Sequence, residues 1–175
     1  MLDVDNFMQL MQVHQVATPR DLVGVCAQEI QKLQQRLGVV FPASYSQFLQ
    51  TCGRSAGLLS PWVAFYFDDL IEIREEFDER LAALADPFEV PANALVFAQA
   101  DDVFDYLFCD DSEDPPVYRL NFLADSPSCE CCALTFSAYL EALVVASDRE
   151  QWLDDLVEDE TYSVASCVSE EDKLI

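Results

Sequence analysis

The 175-residue chain carries 33 acidic and 9 basic side chains, a formal net charge of −24, while 51% of its residues are hydrophobic. A disordered acidic chain lacks that many apolar residues, so the sequence predicts a folded globule with its carboxylates on the outside. Such a surface repels nucleic acids and anionic lipids and attracts basic proteins. The charge therefore excludes direct nucleic-acid and membrane binding and favours a protein partner.

The length fits one domain with a single hydrophobic core. The N-terminus has acids where a secretory signal has bases, and no apolar run approaches the roughly 20 residues needed to cross a bilayer. The seven cysteines are an odd number without the spacing of a disulfide framework, which is typical of a reducing compartment. We therefore expect a cytoplasmic protein.

Helical periodicity dominates the beginning of the chain. Residues 1–17 have the apolar pattern of a short helix, assigned to an N-terminal extension. Thr18 has the side chain of a helix N-cap, and the helix that it starts is predicted to run to Leu37, just before a glycine. A second helix is predicted to open at Pro42 and to end at Gly53.

Strands and helices alternate in the remainder of the chain. Residues 62–67, an aromatic and β-branched run, predict a strand, and residues 68–85 predict a charged helix. Three further strands are predicted, as an antiparallel meander, over residues 94–98, 103–109 and 117–122. Residues 135–143 have the pattern of an amphipathic helix, and a second helical segment is predicted over residues 148–160. The tail, residues 161–175, is left unassigned.

These elements predict an α+β fold with a central, mostly antiparallel sheet flanked by helices. One domain is expected over residues 18–160, between the extension at residues 1–17 and the tail at residues 161–175.

The negative charge is concentrated in the second part of the chain. Residues 101–175 hold 20 acids and 3 bases, against 13 acids and 6 bases in residues 1–100. The proline-bearing turn at residues 110–116 is predicted to project into water. Trp152, ringed by carboxylates, is a candidate anchor for a partner, and its packing against the domain is the alternative. The predicted partner-binding residues are Asp101, Asp102, Asp105, Asp110, Asp111, Glu113, Asp114, Trp152, Asp154, Asp155, Glu158 and Asp159.

Several short motifs occur in a fixed order. A helix ends at Gly38 and is followed by Phe41-Pro42 and by a helix with the pattern Tyr45-x-x-Phe48-Leu49; Asp68-Asp69-Leu70 follows the aromatic run, and Thr135-Phe136-Ser137-Ala138-Tyr139-Leu140 begins the closing helix. This order resembles the SUKH superfamily of the SMI–KNR type over roughly residues 20–145. The resemblance implies a non-catalytic α+β binding module without a cofactor. Many bacterial members of this superfamily are similar to immunity proteins, which neutralise a cognate toxin, often a nuclease.

The function predicted first is that of an immunity protein that binds a basic toxin, and the sequence leaves two alternatives. The first is an intracellular scaffold or regulatory adaptor of the same superfamily. The second is a metal-binding protein, because Cys129, Cys131 and Cys132 place three thiols within four residues. A closed zinc site needs four ligands, and the sequence has no second pair of Cys or His residues to supply them. We therefore expect these cysteines in a strand-to-helix loop without a metal, and His14, the single histidine, without a catalytic role.

Overall fold

A computed structural model describes residues 2–123 and 127–148 of the chain. The predicted segment 148–160 lies outside these residues apart from Asp148, as does the tail at residues 161–175. The helices within them are α1 (Val4–Val13), α2 (Ala27–Leu37), α3 (Ala43–Cys52), α4 (Leu70–Ala82) and α5 (Phe136–Ala146). The strands are β1 (Leu22–Val23), β2 (Ser55–Ala56), β3 (Ala94–Ala100), β4 (Val103–Phe108), β5 (Val117–Asn121) and β6 (Ser128–Ala133).

The main sheet has the strand order β3-β4-β5-β6, and each neighbouring pair is antiparallel. The predicted meander is therefore confirmed, and so is the α+β fold. A separate two-stranded sheet joins β1 to β2. None of the helices in the described residues is long and apolar enough to cross a bilayer.

Helices cover both faces of the main sheet because both faces of its central strands are apolar. On one face, Leu95, Phe97, Leu107 and Val117 join a core formed with α1, α2, α3 and α5. On the opposite face, Val96, Phe104, Tyr106 and Leu120 pack with Ile73 and Phe77 of α4. The alternation along the strands thus assigns α4 to one side of the sheet and the other helices to the opposite side.

An aromatic cluster around Phe136 attaches α5 to the rest of the domain. Its ring centroid lies 5.2 Å from that of Tyr45, 5.8 Å from that of Phe48 and 5.4 Å from that of Phe97, each in an edge-to-face arrangement. These geometries are the preferred ones for aromatic rings. The cluster joins α3, β3 and α5, and Phe136 itself is fully buried.

The helix predicted from Thr18 begins only at Ala27, so its predicted start is wrong. The backbone N–H and the hydroxyl of Thr18 both donate to Asp21 Oδ2, at 2.8 and 2.7 Å, and these bonds close a turn instead of capping a helix. Leu22–Val23 then pairs with Ser55–Ala56. The predicted end is confirmed, because α2 stops at Leu37 and Gly38 has a left-handed φ of 72°.

The strand predicted over residues 62–67 is also wrong. Only Ala64 makes a strand-like bridge, to Gln99, and turns occupy both ends of the run: Val63 N–H donates to the carbonyl of Ser60, and Asp69 N–H donates to that of Tyr66. Phe65 is buried as expected of a core residue, but Trp62 is 51% exposed. The prediction, which depended on aromatic and β-branched content alone, therefore assigned a strand to a turn-rich segment.

The loop predicted to carry the three clustered cysteines is a strand, β6, at one edge of the main sheet. Its residues are mostly exposed. Because neither of its faces is buried, the strand lacks the apolar alternation by which strands are identified.

Replacing Phe136 with alanine should destabilise the domain by about 3–5 kcal/mol, because the truncation leaves a cavity among the rings of Tyr45, Phe48 and Phe97. Leu134→Ala is the matched control, since Leu134 is 81% exposed, and it should change stability by less than about 0.5 kcal/mol. Urea unfolding followed by circular dichroism measures both. Similar midpoints for the two variants would contradict the packing described.

Candidate partner-binding site

The turn carboxylates predicted to form one acidic face lie at two ends of β4. Asp101 and Asp102 form the turn before β4, whereas Asp110 and Asp111 lie in the turn after it. The six residues of β4, at about 3.4 Å per residue, separate these turns by roughly 20 Å. The two turns therefore have to be considered as separate acidic surfaces.

Asp105 does not belong to an exposed face, and its prediction as a partner-binding residue is wrong. It is 5% exposed, and its carboxylate accepts two hydrogen bonds of 2.8 Å from Nε and Nη2 of Arg119. The hydroxyl of Tyr139 donates to Asp105 Oδ2 at 2.9 Å. A carboxylate held inside the domain by three donors is a structural group, because burial is tolerated only with such compensation.

The pKa values of these neighbours agree with that arrangement. Burial, reinforced by the charge of Asp105, raises the pKa of Tyr139 well above its usual value. The hydroxyl therefore keeps its proton and donates a hydrogen bond to the carboxylate. The hydrogen bonds to Asp105 raise the pKa of the Arg119 guanidinium. Both groups are therefore locked in the protonation state that stabilises the Asp105 carboxylate.

The turn after β4 is acidic but attached to the domain. Asp110 Oδ1 accepts the backbone N–H of Ser112 at 2.8 Å, and Asp114 Oδ1 accepts that of Ser137 at 3.0 Å, in the first turn of α5. The carbonyl of Glu113 accepts the N–H of Ser44 at 2.9 Å. The side chains of Asp110, Asp111 and Glu113 remain exposed, whereas Asp114 is half-buried. These acids present charge to solvent from a fixed loop.

The turn before β4 contributes to a groove that sequence reasoning did not identify. The groove has a volume of about 570 Å³ and is bounded by α4 and by the β3–β4 turn. Five carboxylates and one guanidinium line it: Asp69, Glu72, Glu76, Asp101, Asp102 and Arg80. Arg80 Nη2 lies 2.6 Å from Asp102 Oδ1 and 3.8 Å from Glu76 Oε1. The first ion pair joins α4 to the turn, and the second lies within α4. The carboxylates outnumber the cation, and the groove is acidic.

Trp62 stands at the rim of this groove. Its segment is held to the edge of the sheet by two bonds between Ala64 and Gln99, from Ala64 N to Gln99 O at 2.9 Å and from Gln99 N to Ala64 O at 2.8 Å. With half of its surface exposed beside carboxylates, Trp62 has the position expected for Trp152 in the sequence analysis. Trp152 lies outside the described residues, as do Asp154, Asp155, Glu158 and Asp159.

The acidic surface continues along α4. Glu72, Glu75, Glu76 and Glu79 line a shallow depression next to the groove. Their spacing of three, four and seven residues places them on one side of a helix. The charged helix predicted over residues 68–85 therefore already contained the signal for this surface.

The clustered cysteines do not form a metal centre in the part of the chain that is described. Cys129 Sγ lies 3.1 Å from the hydroxyl of Tyr106, and Cys132 Sγ donates to the carbonyl of Val117 at 3.5 Å. Burial raises the pKa of Cys132 to about 11. Within residues 2–123 and 127–148, no three His, Cys, Asp or Glu side chains converge in a way that would hold a metal ion.

The single histidine has a structural contact. His14 Nδ1 lies 2.7 Å from Asp148 Oδ2, which joins the end of α1 to the residue that follows the last turn of α5. The pair is partly exposed on both sides. It fastens the N-terminal helix to the described end of the domain.

The structure is an α+β domain built on a four-stranded antiparallel sheet, with an acidic groove between α4 and the β3–β4 turn. The model of the SMI1/KNR4 family (SUKH-1) matches residues 24–155, and the chain belongs to this family. The resemblance noted from the motifs is thereby confirmed. SUKH domains are immunity-protein-like modules, which associates the chain with protein binding at the level of the family. A search of the curated proteins found no match.

Removing the carboxylate of Asp105 should destabilise the protein by about 3 kcal/mol, because it leaves the Arg119 guanidinium and the Tyr139 hydroxyl without their acceptor. The lower end of the usual range is expected because the Arg119 side chain is 39% exposed and can reach water. Asp111→Ala, on the exposed turn, is the control and should cost less than about 0.5 kcal/mol. Urea unfolding of Asp105→Ala and of the control measures the difference. Equal stability of the two variants would contradict the buried, structural role of Asp105.

Proposed function

We propose that this protein is a cytoplasmic immunity protein that binds a basic toxin through the acidic groove and so blocks the toxin's action. The observation that carries the proposal is the groove itself, in which five carboxylates surround a single arginine beside the half-exposed Trp62. The family match supports a protein partner. A groove with this charge is complementary to lysine and arginine side chains.

The proposed interface is centred on Trp62 and extends along α4. Tryptophan is enriched among the residues that dominate binding energy, especially where surrounding contacts exclude water. The exposed carboxylates of Glu72, Glu75 and Glu79 lie on the same helix. They would steer a basic partner toward the groove, since electrostatic attraction raises association rates far above those of neutral surfaces.

Inhibition would follow from occlusion. If the toxin is a nuclease, its basic residues normally face substrate phosphates, and the carboxylates of the groove would occupy the same positions. The turn acids Asp110, Asp111 and Glu113 lie roughly 20 Å from the groove, within the span of a standard interface of about 800 Å² per partner. We assign them a peripheral contribution. The contribution of the carboxylates at residues 154–159 to partner binding remains a prediction.

The test compares two variants that each lose three negative charges. The groove variant combines Glu72→Gln, Glu76→Gln and Asp101→Asn, and asparagine suits the left-handed φ of 50° at residue 101. The control combines Asp110→Asn, Asp111→Asn and Glu113→Gln. Binding kinetics are measured against the protein encoded beside this one. The groove variant should associate about tenfold more slowly at low salt and show a weaker salt dependence, while the control should change by less than about threefold.

Equal loss in the two variants would show that only the net charge matters and would overturn the assignment of the groove. No binding to the neighbouring product, together with capture of several housekeeping proteins, would instead favour the scaffold or adaptor alternative. Trp62→Ala adds a test that leaves the charge unchanged. It should accelerate dissociation at least about tenfold if this side chain is the anchor.

A further inference from the structure

A second cavity, of about 290 Å³, shares Trp62, Gln99 and Ala100 with the groove but is walled by α5 instead of α4. Most of its wall is apolar: Val63, Ala98, Val103, Leu143 and Ala146. Its polar groups come from four places in the fold: Ser60, Gln99, the Asp105–Arg119 pair and Tyr139. The volume is at the lower limit of known ligand pockets and suits a molecule with about one ring.

Ser60 is an unusual member of this lining. It is 1% exposed, and its Oγ has no hydrogen-bond partner within the described residues. Its φ of 41° lies in the left-handed region, which non-glycine residues seldom adopt. The conformation is held by a bond from Ser60 N–H to Ser147 Oγ at 2.9 Å, and Ser147 Oγ in turn donates to the carbonyl of Leu143 at 2.7 Å. A buried hydroxyl without a partner is costly, and a ligand that accepts its hydrogen bond would remove that cost.

The charged pair restricts what the cavity can accept. Both oxygens of Asp105 are already engaged, by Nε and Nη2 of Arg119 and by the hydroxyl of Tyr139. Within residues 2–123 and 127–148, Nη1 of Arg119 donates no hydrogen bond, so its protons remain available to a ligand. Gln99 donates its Nε2 to the carbonyl of Asp101 at 3.3 Å. The donors able to bind a ligand are thus Arg119 Nη1 and the Ser60 hydroxyl.

The charge of the ligand follows from these groups. A cation would meet the guanidinium of Arg119 and find the Asp105 carboxylate already satisfied. An anion would meet Asp105 inside a protein with a net charge of −24, where a second negative charge is disfavoured. A neutral oxygen acceptor can receive hydrogen bonds from both donors without either penalty.

We propose that this cavity binds a small, neutral organic molecule that joins an apolar body of about one ring to an oxygen acceptor, such as an amide. The acceptor is held by Ser60 and Arg119, and the body packs on Val63, Leu143 and the ring of Trp62. The site adjoins the acidic groove and shares Trp62 with it, but a small molecule can occupy it without a protein partner.

The experiment titrates the full chain with three molecules of nearly equal shape and different charge: benzamide, benzoate and benzamidinium. Two-dimensional amide NMR follows the resonances of Ser60, Trp62 and Leu143. Benzamide should shift them with a Kd on the order of millimolar, as expected for a ligand of this size. Benzoate and benzamidinium should bind at least about tenfold more weakly.

Two variants locate the site. Ser60→Ala should weaken benzamide binding about fivefold by removing one donor. Ala146→Leu should abolish it by filling the cavity from an exposed helix position, whereas Ala142→Leu, an exposed residue of the same helix outside the lining, should leave it unchanged. Tighter binding of benzamidinium than of benzamide would overturn the proposal, because the acidic field would then decide the ligand. Unshifted resonances at about 20 mM benzamide, or full binding by Ala146→Leu, would overturn it as well.

Discussion

The buried carboxylate of Asp105 is the polar contact on which one side of the domain depends. It lies on the face of β4 that points to α5, directly opposite Arg119 of β5, and it also accepts from Tyr139 of α5. Because a buried carboxylate is tolerated only with all of its donors in place, these three elements can pack in one relative arrangement. The same contact supplies a wall of the cavity beneath Trp62. Asp105 was predicted from the sequence to lie on a binding surface, but it is buried and fixes how β4, β5 and α5 pack together.

The second constraint is that both faces of the sheet are apolar, which commits α4 to the side opposite the other helices. That position brings the glutamates of α4 next to the β3–β4 turn and creates the acidic groove. The ion pairs from Arg80 to Asp102 and Glu76 neutralise only part of this charge. The groove therefore keeps an excess of negative charge in a concave surface next to an exposed aromatic residue, which is the combination expected of a site for a basic protein.

Local patterns predicted much of this fold from the sequence. The meander, α3 with its start at Pro42, α4 and α5 all followed from periodicity and from the residues that begin or end helices. The failures arose where tertiary contacts decide the structure. Thr18 closes a turn through Asp21, and residues 62–67 meet the main sheet through one bridge, from Ala64 to Gln99. The strand β6 was missed because its exposed cysteines show no apolar alternation.

The candidate site was less predictable than the fold, because it requires knowing which elements become neighbours. Pairing of the predicted strands would nevertheless have placed Asp105 opposite Arg119, the only basic residue between Arg80 and Arg149, and so indicated a buried pair.

The groove beside Trp62 is the surface that we propose meets a protein partner. Hydrogen–deuterium exchange of the free protein and of its complex with the neighbouring gene product tests it most directly. Protection should appear at residues 62–80 and 99–103, whereas protection confined to residues 109–116 would contradict the claim.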